Sequence, residues 1–319
     1  MARANESLPS QKYHSGTVNK LDGGRLKSLL PATLSVALIS SIGFFVILFV
    51  LERIYPRIRF SGNRGKRLIH NFGLGFTYKL LFAPMVIGPL LLFIAHDMPY
   101  KWHRPEWYAG WFVIALDFIL LDLTHFFQHI LAHRIPLLWR FHAVHHIDEH
   151  LDVTTGIRSH FAEKFLALAT KLPALYLLAV PPETLAVYEV VVFCFGVFHH
   201  SNIALPERLE LWLGKVFVTP LYHIIHHGRT PDFTDSNYGA ILSIWDALIG
   251  TRCAVTRKPP GFSNGLDDHG DFSLVALHVL PFTPVSVKQW SNDWRGKWQR
   301  RGGTKPSGMA ARANGRPPG

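Results

Sequence analysis

Cysteine is nearly absent. Cys194 and Cys253 are the two in 319 residues, so the chain supports neither a disulfide framework nor a thiolate metal site. Charge is sparse as well: Asp, Glu, Lys and Arg make up 17% of residues against 48% hydrophobic, fewer charges than a soluble domain of this size usually carries. Several catalytic signatures are missing. There is no glycine-rich phosphate loop, no nicotinamide or flavin fingerprint and no C-x-x-C-H for haem attachment. There is no His-Glu-x-x-His either, and no histidine in the cluster region follows a glutamate by three positions. The second absence excludes the Glu-x-x-His bundles of soluble carboxylate di-iron proteins. No internal repeat is present.

What the chain does contain is long apolar runs. Leu29 to Leu51 is 23 residues without a charge, and about 20 suffice to span the hydrocarbon core of a bilayer. Leu80 to Ala95 is a shorter uncharged run, extendable back to Phe72 if Lys79 snorkels. Trp107 to Leu131 is apolar apart from Asp117, Asp122, His125 and His129, and Phe165 to Phe198 reads as two helices broken at Pro181-Pro182. A buried core helix would explain any one run, but four together predict membrane embedding. The first 28 residues are polar and lack the apolar stretch and cleavage pattern of a secretion signal, so the first helix is expected to be an uncleaved anchor. After Pro206 an apolar stripe, Leu209, Leu211, Trp212, Leu213, Val216 and Phe217, suits the membrane interface.

Net charge is +11, and the excess is local. Arg53, Arg57, Arg59, Arg64, Lys66 and Arg67 follow the first apolar run and are expected beside anionic headgroups. A second group, from Lys297 to Arg316, marks a Gly-, Pro- and Arg-rich tail expected to be disordered. No basic and aromatic recognition motif accompanies either group, so nucleic acid is not an expected partner. Arg25 and Lys27 precede the first run, so basic residues flank it on both sides and the charge rule leaves its orientation open.

Histidine is the residue in excess: 19 in all, 13 of them between His125 and His227. His129-x-x-x-His133, His142-x-x-His145-His146 and His223-x-x-His226-His227 form three short clusters. On a helix, residues three and four apart share a face, so each cluster is expected to aim its imidazoles at one point, where a metal is the natural occupant. Neutral imidazole suits iron, zinc, copper and nickel and disfavours calcium and magnesium. His14, His96, His103, His269 and His278 have no partner at ligand spacing and are read as ordinary residues, as are His70 and His150. Pro136 should close the helix that carries His129 and His133, which brings the second cluster close to the first. The apolar hairpin ends at His199-His200, again at the membrane boundary, so histidines of separate segments should gather on one side of the membrane.

At these residues the chain resembles the fatty acid hydroxylase and sterol desaturase superfamily of membrane di-iron enzymes. The resemblance runs from about Glu52 to Thr251. It rests on His129-Ile-Leu-Ala-His133, on Pro136-Leu-Leu-Trp139-Arg140-Phe141-His142-Ala-Val-His145-His146, on His200-Ser-Asn202 and on Thr219-Pro220-Leu-Tyr-His223-Ile-Ile-His226-His227. Asp235-Ser-Asn237-Tyr238-Gly239 and Trp245-Asp246-Ala-Leu-Ile-Gly250-Thr251 match the usual ending.

The resemblance implies an all-α integral membrane bundle of about four to five membrane-embedded helices with a histidine-rich helical cap on the cytosolic side. Within it, 104–255 would be the catalytic domain, containing the membrane hairpin 165–198. Residues 1–28 would precede the transmembrane segment 29–103, and 256–295 and 296–319 would follow the catalytic domain. The metal ligands it implies are His129, His133, His142, His145, His146, His200, His223, His226 and His227, holding two iron ions that activate O2 with electrons from an external ferredoxin- or cytochrome-type donor and its reductase. Zinc is a substituting metal. His125, His160 and His199 are candidate additional groups. Asp122, Asp152, Asp235, Asn237 and Asp246 are candidates to orient ligand imidazoles through their second N–H, or to act as caps and turns. The activity implied is hydroxylation, or desaturation, of an unactivated C–H bond in a lipid drawn from the bilayer. A membrane zinc hydrolase and a non-enzymatic metal-binding membrane protein are the rival readings.

Overall fold

The computed structural model describes residues 23–79, 85, 110–266 and 272–283; the Leu80–Ala95 run, the N-terminal residues and the basic tail lie outside the described residues. The chain is mostly helical. Three long helices come first or flank the hairpin: α1 (Gly23–Ile54), α3 (Trp111–Arg134) and α6 (Pro182–His200). Between them lie α2 (Arg64–Phe76), α4 (Pro136–His146), a 3₁₀ turn (Val153–Ile157) and α5 (Phe161–Leu178). Four short helices follow, α7 (Glu207–Leu213), α8 (Pro220–His226), α9 (Pro231–Thr234) and α10 (Ile244–Ile249), and then α11 (Leu274–Val279). Among the described residues the β-pairing is confined to isolated bridges such as Pro56 with Ile203.

Among the described residues α3 is long and apolar enough to cross a membrane, and Thr184–His200 is a shorter apolar helix. α1 turns large apolar side chains outward, including Ile39, which is 69% exposed, Val46, Ile47 and Ile54. The stripe after Pro206 also faces out, through Leu209, Trp212 and Phe217.

Prolines set the turns that matter. Ile135 is held extended at φ −94°, ψ 117°, the region that a following proline favours, and Pro136 then starts α4 at its first turn. The chain therefore reverses between His133 and His142. Pro220 opens α8 in the same way behind Thr219, whose hydroxyl accepts the Tyr222 N–H. At the hairpin, α5 ends at Ala179 in the left-handed region and α6 begins at Pro182. Gly156 lets the 3₁₀ turn press on α6, because a Cβ there would stand 3.1 Å from the Gly196 carbonyl oxygen.

Buried carboxylates join the elements. Glu52, at the end of α1, accepts the N–H groups of Val153 (2.9 Å) and Asn202 (3.1 Å). Three of the arginines expected at headgroups are instead engaged inside the protein. Arg67 chelates Asp148 (2.8 and 2.7 Å) and also pairs with Asp152, Arg57 pairs with Glu210, and Arg53 pairs with Glu52. Their sequence neighbourhood is basic, but burial and fork geometry make them ties between α1, α2 and the loop after α4. The segment after residue 255 returns to the same core, where Leu277 and Leu280 pack with Leu74, Val144 and Ile147.

Candidate metal centre

The histidines of α3, α4, α6 and α8 meet in two groups. His129, His133, His142, His146 and His226 form the first, and His145, His200, His223 and His227 the second. Within each group the ligand atoms lie within 4.8 Å of one another, an arrangement that can hold a metal ion. The spacing argument predicted one point per cluster, and here the structure differs. Each triplet is divided: His142 and His146, four apart, go to the first group while His145 goes to the second, and His226 parts from His223 and His227. Successive residues on a helix diverge by about 100°, so adjacent imidazoles such as His145 and His146 face different ways. The groups touch through His146 and His227, whose rings stack at 4.3 Å.

Hydrogen bonding shows what belongs between the rings. A backbone carbonyl only accepts, so the ring nitrogen facing it carries the proton and the other nitrogen of a neutral imidazole presents a lone pair. His145 Nδ1 donates to the Arg158 carbonyl (2.9 Å) and His200 Nδ1 to the Gly196 carbonyl (2.6 Å). Their Nε2 atoms stand 3.0 Å apart, lone pair to lone pair. The first group repeats the pattern. His129 Nδ1 donates to the Tyr238 carbonyl (2.8 Å) and His142 Nδ1 to Glu163 Oε1 (3.0 Å), leaving Nε2 atoms 3.2 Å apart. His226 Nδ1 donates to the Ser236 carbonyl (2.7 Å), and its buried Nε2 has no hydrogen-bond partner. Two acceptors cannot bond each other, whereas a shared cation turns their repulsion into coordination. The residues therefore fit a metal in each group. Burial holds His145, His146, His223 and His227 well below the ordinary imidazole range and pushes His226 down to about 3, with neighbouring imidazoles adding to the effect. All five are neutral and ready to ligate at physiological pH.

Of the acidic candidates, Asp235 stands against an imidazole, its Oδ1 3.6 Å from His133 Nδ1. The others accept from backbone N–H groups and from side chains other than the imidazoles. Asp122 accepts from the N–H groups of Ile241 and Leu242 and from the Trp245 indole (2.8 Å). Asp152 caps the 3₁₀ turn through the Thr154 N–H. Asp246 accepts from the N–H groups of Tyr238 and Gly239 (both 2.8 Å), from the Tyr222 hydroxyl (3.0 Å) and from the Thr251 hydroxyl (2.6 Å). Asn237, in the left-handed region at φ 56°, bonds the Tyr222 carbonyl and the Cys253 N–H. Thus Asp122, Asn237 and Asp246 fix the loop whose carbonyls at Ser236 and Tyr238 hold His226 and His129. Gly239 is required in that loop, since a Cβ would meet the Leu242 carbonyl oxygen at 2.8 Å.

His160 lies outside both groups. Its Nδ1 accepts the Ala162 N–H at the start of α5 and its Nε2 donates to the His278 carbonyl. His199 sits beside the second group, its ring 4.1 Å from that of His223, and His125 lines the neighbouring cavity. Sequence reasoning missed Glu163 and the Arg158 carbonyl. Glu163 is the one acidic residue in the first turn of α5, a signal that spacing rules for ligands do not register.

A cavity of about 490 Å³ opens onto both groups, bounded by His129 and His142 of the first and His145, His200 and His223 of the second. Its remaining wall comes largely from α5 and α6, including Leu168, Leu175, Leu185 and Phe193.

Comparison with known proteins places this architecture. The fatty acid hydroxylase family matches residues 114–251. An alkylglycerol monooxygenase of Xenopus tropicalis is 29% identical over 191 residues, 60% of this chain and 39% of that one. The ornithine lipid hydroxylase OlsE of Rhizobium tropici is 33% identical over 167 residues, 52% of this chain and 47% of that one. A cholesterol 25-hydroxylase of Mus musculus is 25% identical over 239 residues, 70% of this chain and 76% of that one. The chain spans less than half the length of the first two of these relatives. No solved structure matches it. Residues 114–251, the segment that matches the fatty acid hydroxylase family, hold all nine histidines of the two groups.

Proposed function

We propose that this chain is a membrane-embedded di-iron hydroxylase of a lipid. In this reading His129, His133, His142, His146 and His226 ligate one iron and His145, His200, His223 and His227 the other. The observation that carries it is the pairing of bare Nε2 atoms, His129 with His142 and His145 with His200, each held by an acceptor behind the opposite nitrogen. Imidazole-rich sites lacking thiolate suit a redox-active first-row metal, and the relatives' names all refer to lipids. Bound there, two irons would supply the redox chemistry that lets O2 attack an unactivated C–H bond, with electrons from a ferredoxin- or cytochrome-type donor and its reductase.

The protein's part is positioning. The carbonyls of Arg158, Gly196, Ser236 and Tyr238 and the Glu163 carboxylate fix which nitrogen of each ring faces the metal. The apolar side chains that α5 and α6 turn into the cavity, Leu168, Leu175, Leu185 and Phe193, would take a lipid chain from the bilayer, avoiding transfer through water at about 0.8 kcal/mol per methylene. In this reading four to five helices are embedded in the bilayer, and the histidine cap lies on the cytosolic side.

Incubation of iron-loaded protein with a reductase system, lipid extract and ¹⁸O₂ tests the reading. The expected product is a lipid alcohol carrying one ¹⁸O. Label arriving from water instead, with no O2 consumed, would contradict it and favour hydrolysis.

A further inference from the structure

We propose that the cavity beside the metal centre recognises an anionic lipid headgroup, a carboxylate or phosphate, through Lys79 and Lys164. The inference rests on the reading of that cavity as the lipid site. Charge is scarce in this chain, yet three lysines line one cavity, beside apolar residues such as Leu168, Leu175, Leu185 and Phe193. Ionisable side chains beside the bilayer are costly and turn inward to a partner or a ligand. The carboxylates in the same wall are Glu163 and Glu189, and the buried Glu163 Oε2 has no hydrogen-bond partner. Glu163 Oε1 accepts from His142, and Glu189 pairs with Lys171 at 2.5 Å.

Neither Lys79 nor Lys164 closes an ion pair with a carboxylate among the described residues, although Glu189 acts on Lys79 and Glu163 on Lys164 from farther off. The Lys79 ammonium lies 3.7 Å from the centre of the Phe193 ring, and that of Lys164 lies 5.9 Å from the Tyr78 ring. An aromatic face steadies an ammonium but leaves its N–H donors free for an acceptor. Lys164 and Lys171 stand seven positions apart on α5, two turns and about 10 Å along one face, and form a positive strip in the cavity wall. The second cation on that strip already has Glu189, which marks Lys79 and Lys164 as the pair that takes the headgroup. A neutral sterol or glyceryl ether would leave both ammonium groups facing hydrocarbon, an unfavourable placement. A lipid acid satisfies them while its chain fills the space between Leu168, Leu175, Leu185 and Phe193.

Binding can be read without turnover. Detergent-purified, iron-loaded protein is titrated with four probes that share one acyl length: oleate, oleoyl lysophosphatidate, oleyl alcohol and monoolein. The acidic probes should bind at least about tenfold tighter than the neutral ones. In Lys79→Gln/Lys164→Gln the advantage should fall to within about threefold with neutral affinity unchanged, and Lys79→Arg/Lys164→Arg should keep it. Whichever acid binds tighter identifies the headgroup as carboxylate or phosphate. Equal binding of acidic and neutral probes to the parent protein, or an equal loss for all four in the Gln variant alongside full recovery in the Arg variant's iron content and fold, overturns the proposal. Iron content and ¹⁸O incorporation on the same samples report separately on the hydroxylase reading, so either idea can fail alone.

Discussion

The two histidine groups share α4 and α8 but are held differently. The first adds His129 and His133 from α3, and two of its rings lie against carboxylates, His142 on Glu163 and His133 near Asp235. The second adds His200 from α6, and its oriented rings, His145 and His200, rest on backbone carbonyls. A carboxylate behind an imidazole raises the ring's basicity and strengthens its bond to a metal, more than a neutral carbonyl does. The difference teaches that one chain can build two unequal sites from one repeated H-x-x-H-H spelling, by changing what stands behind each ring. The first site should hold its metal more firmly than the second.

Removing a ligand breaks the comparison most severely. His226→Ala should empty the first group and His223→Ala the second, each lowering product formation by more than about 100-fold, beyond the 10–100-fold range seen for outer partners; product analysis with metal counting checks both. Glu163→Gln comes next. It keeps the shape but removes the charge behind His142, and the first group's metal affinity should fall by about 10–100-fold while the second is unchanged, read by competition with a chelator.

Asp246→Ala attacks the scaffold shared by both sites. It strips the acceptor from the Tyr238 and Gly239 N–H groups and two hydroxyls, and should lower stability by about 2–3 kcal/mol, seen as a drop in Tm with metal-binding stoichiometry retained in the folded fraction.

Acid should destabilise the metal-free protein. His145, His146, His223, His226 and His227 stay neutral when folded, whereas the unfolded chain takes up protons on them below about pH 6.5. Protons then favour unfolding, so stability is level above that pH and declines as pH falls beneath it. A Tm that rises on acidification from pH 7 to 5 would refute the burial of neutral rings. Metal should flatten the decline at low pH only while it remains bound.

The histidine clusters are legible in the sequence because ligand spacing follows helical geometry, and Pro136, Pro182 and Pro220 announce the turns that bring the clusters together. The hairpin of α5 and α6 is legible for the same reason. Which imidazole joins which group is not, because His145 and His146 differ by one step of helical rotation that only the packed bundle resolves. Glu163 is hidden by distance, 21 positions from the His142 ring it supports, and the carbonyls of Arg158, Gly196, Ser236 and Tyr238 have no residue type to advertise them. Arg67 misleads in the other direction. Its basic neighbours suggest a headgroup contact, whereas Asp148 and Asp152 lie more than 80 positions away along the chain and draw it inside.

Metal counting on the purified full chain tests the central claim most directly. Iron-loaded protein should carry about two irons per chain, and graded chelation should release them in two steps, with the slower step accelerated by Glu163→Gln and the faster one abolished by His200→Ala. A single metal per chain, or two released together and unaffected by either substitution, would contradict an account built on two unequal histidine sites.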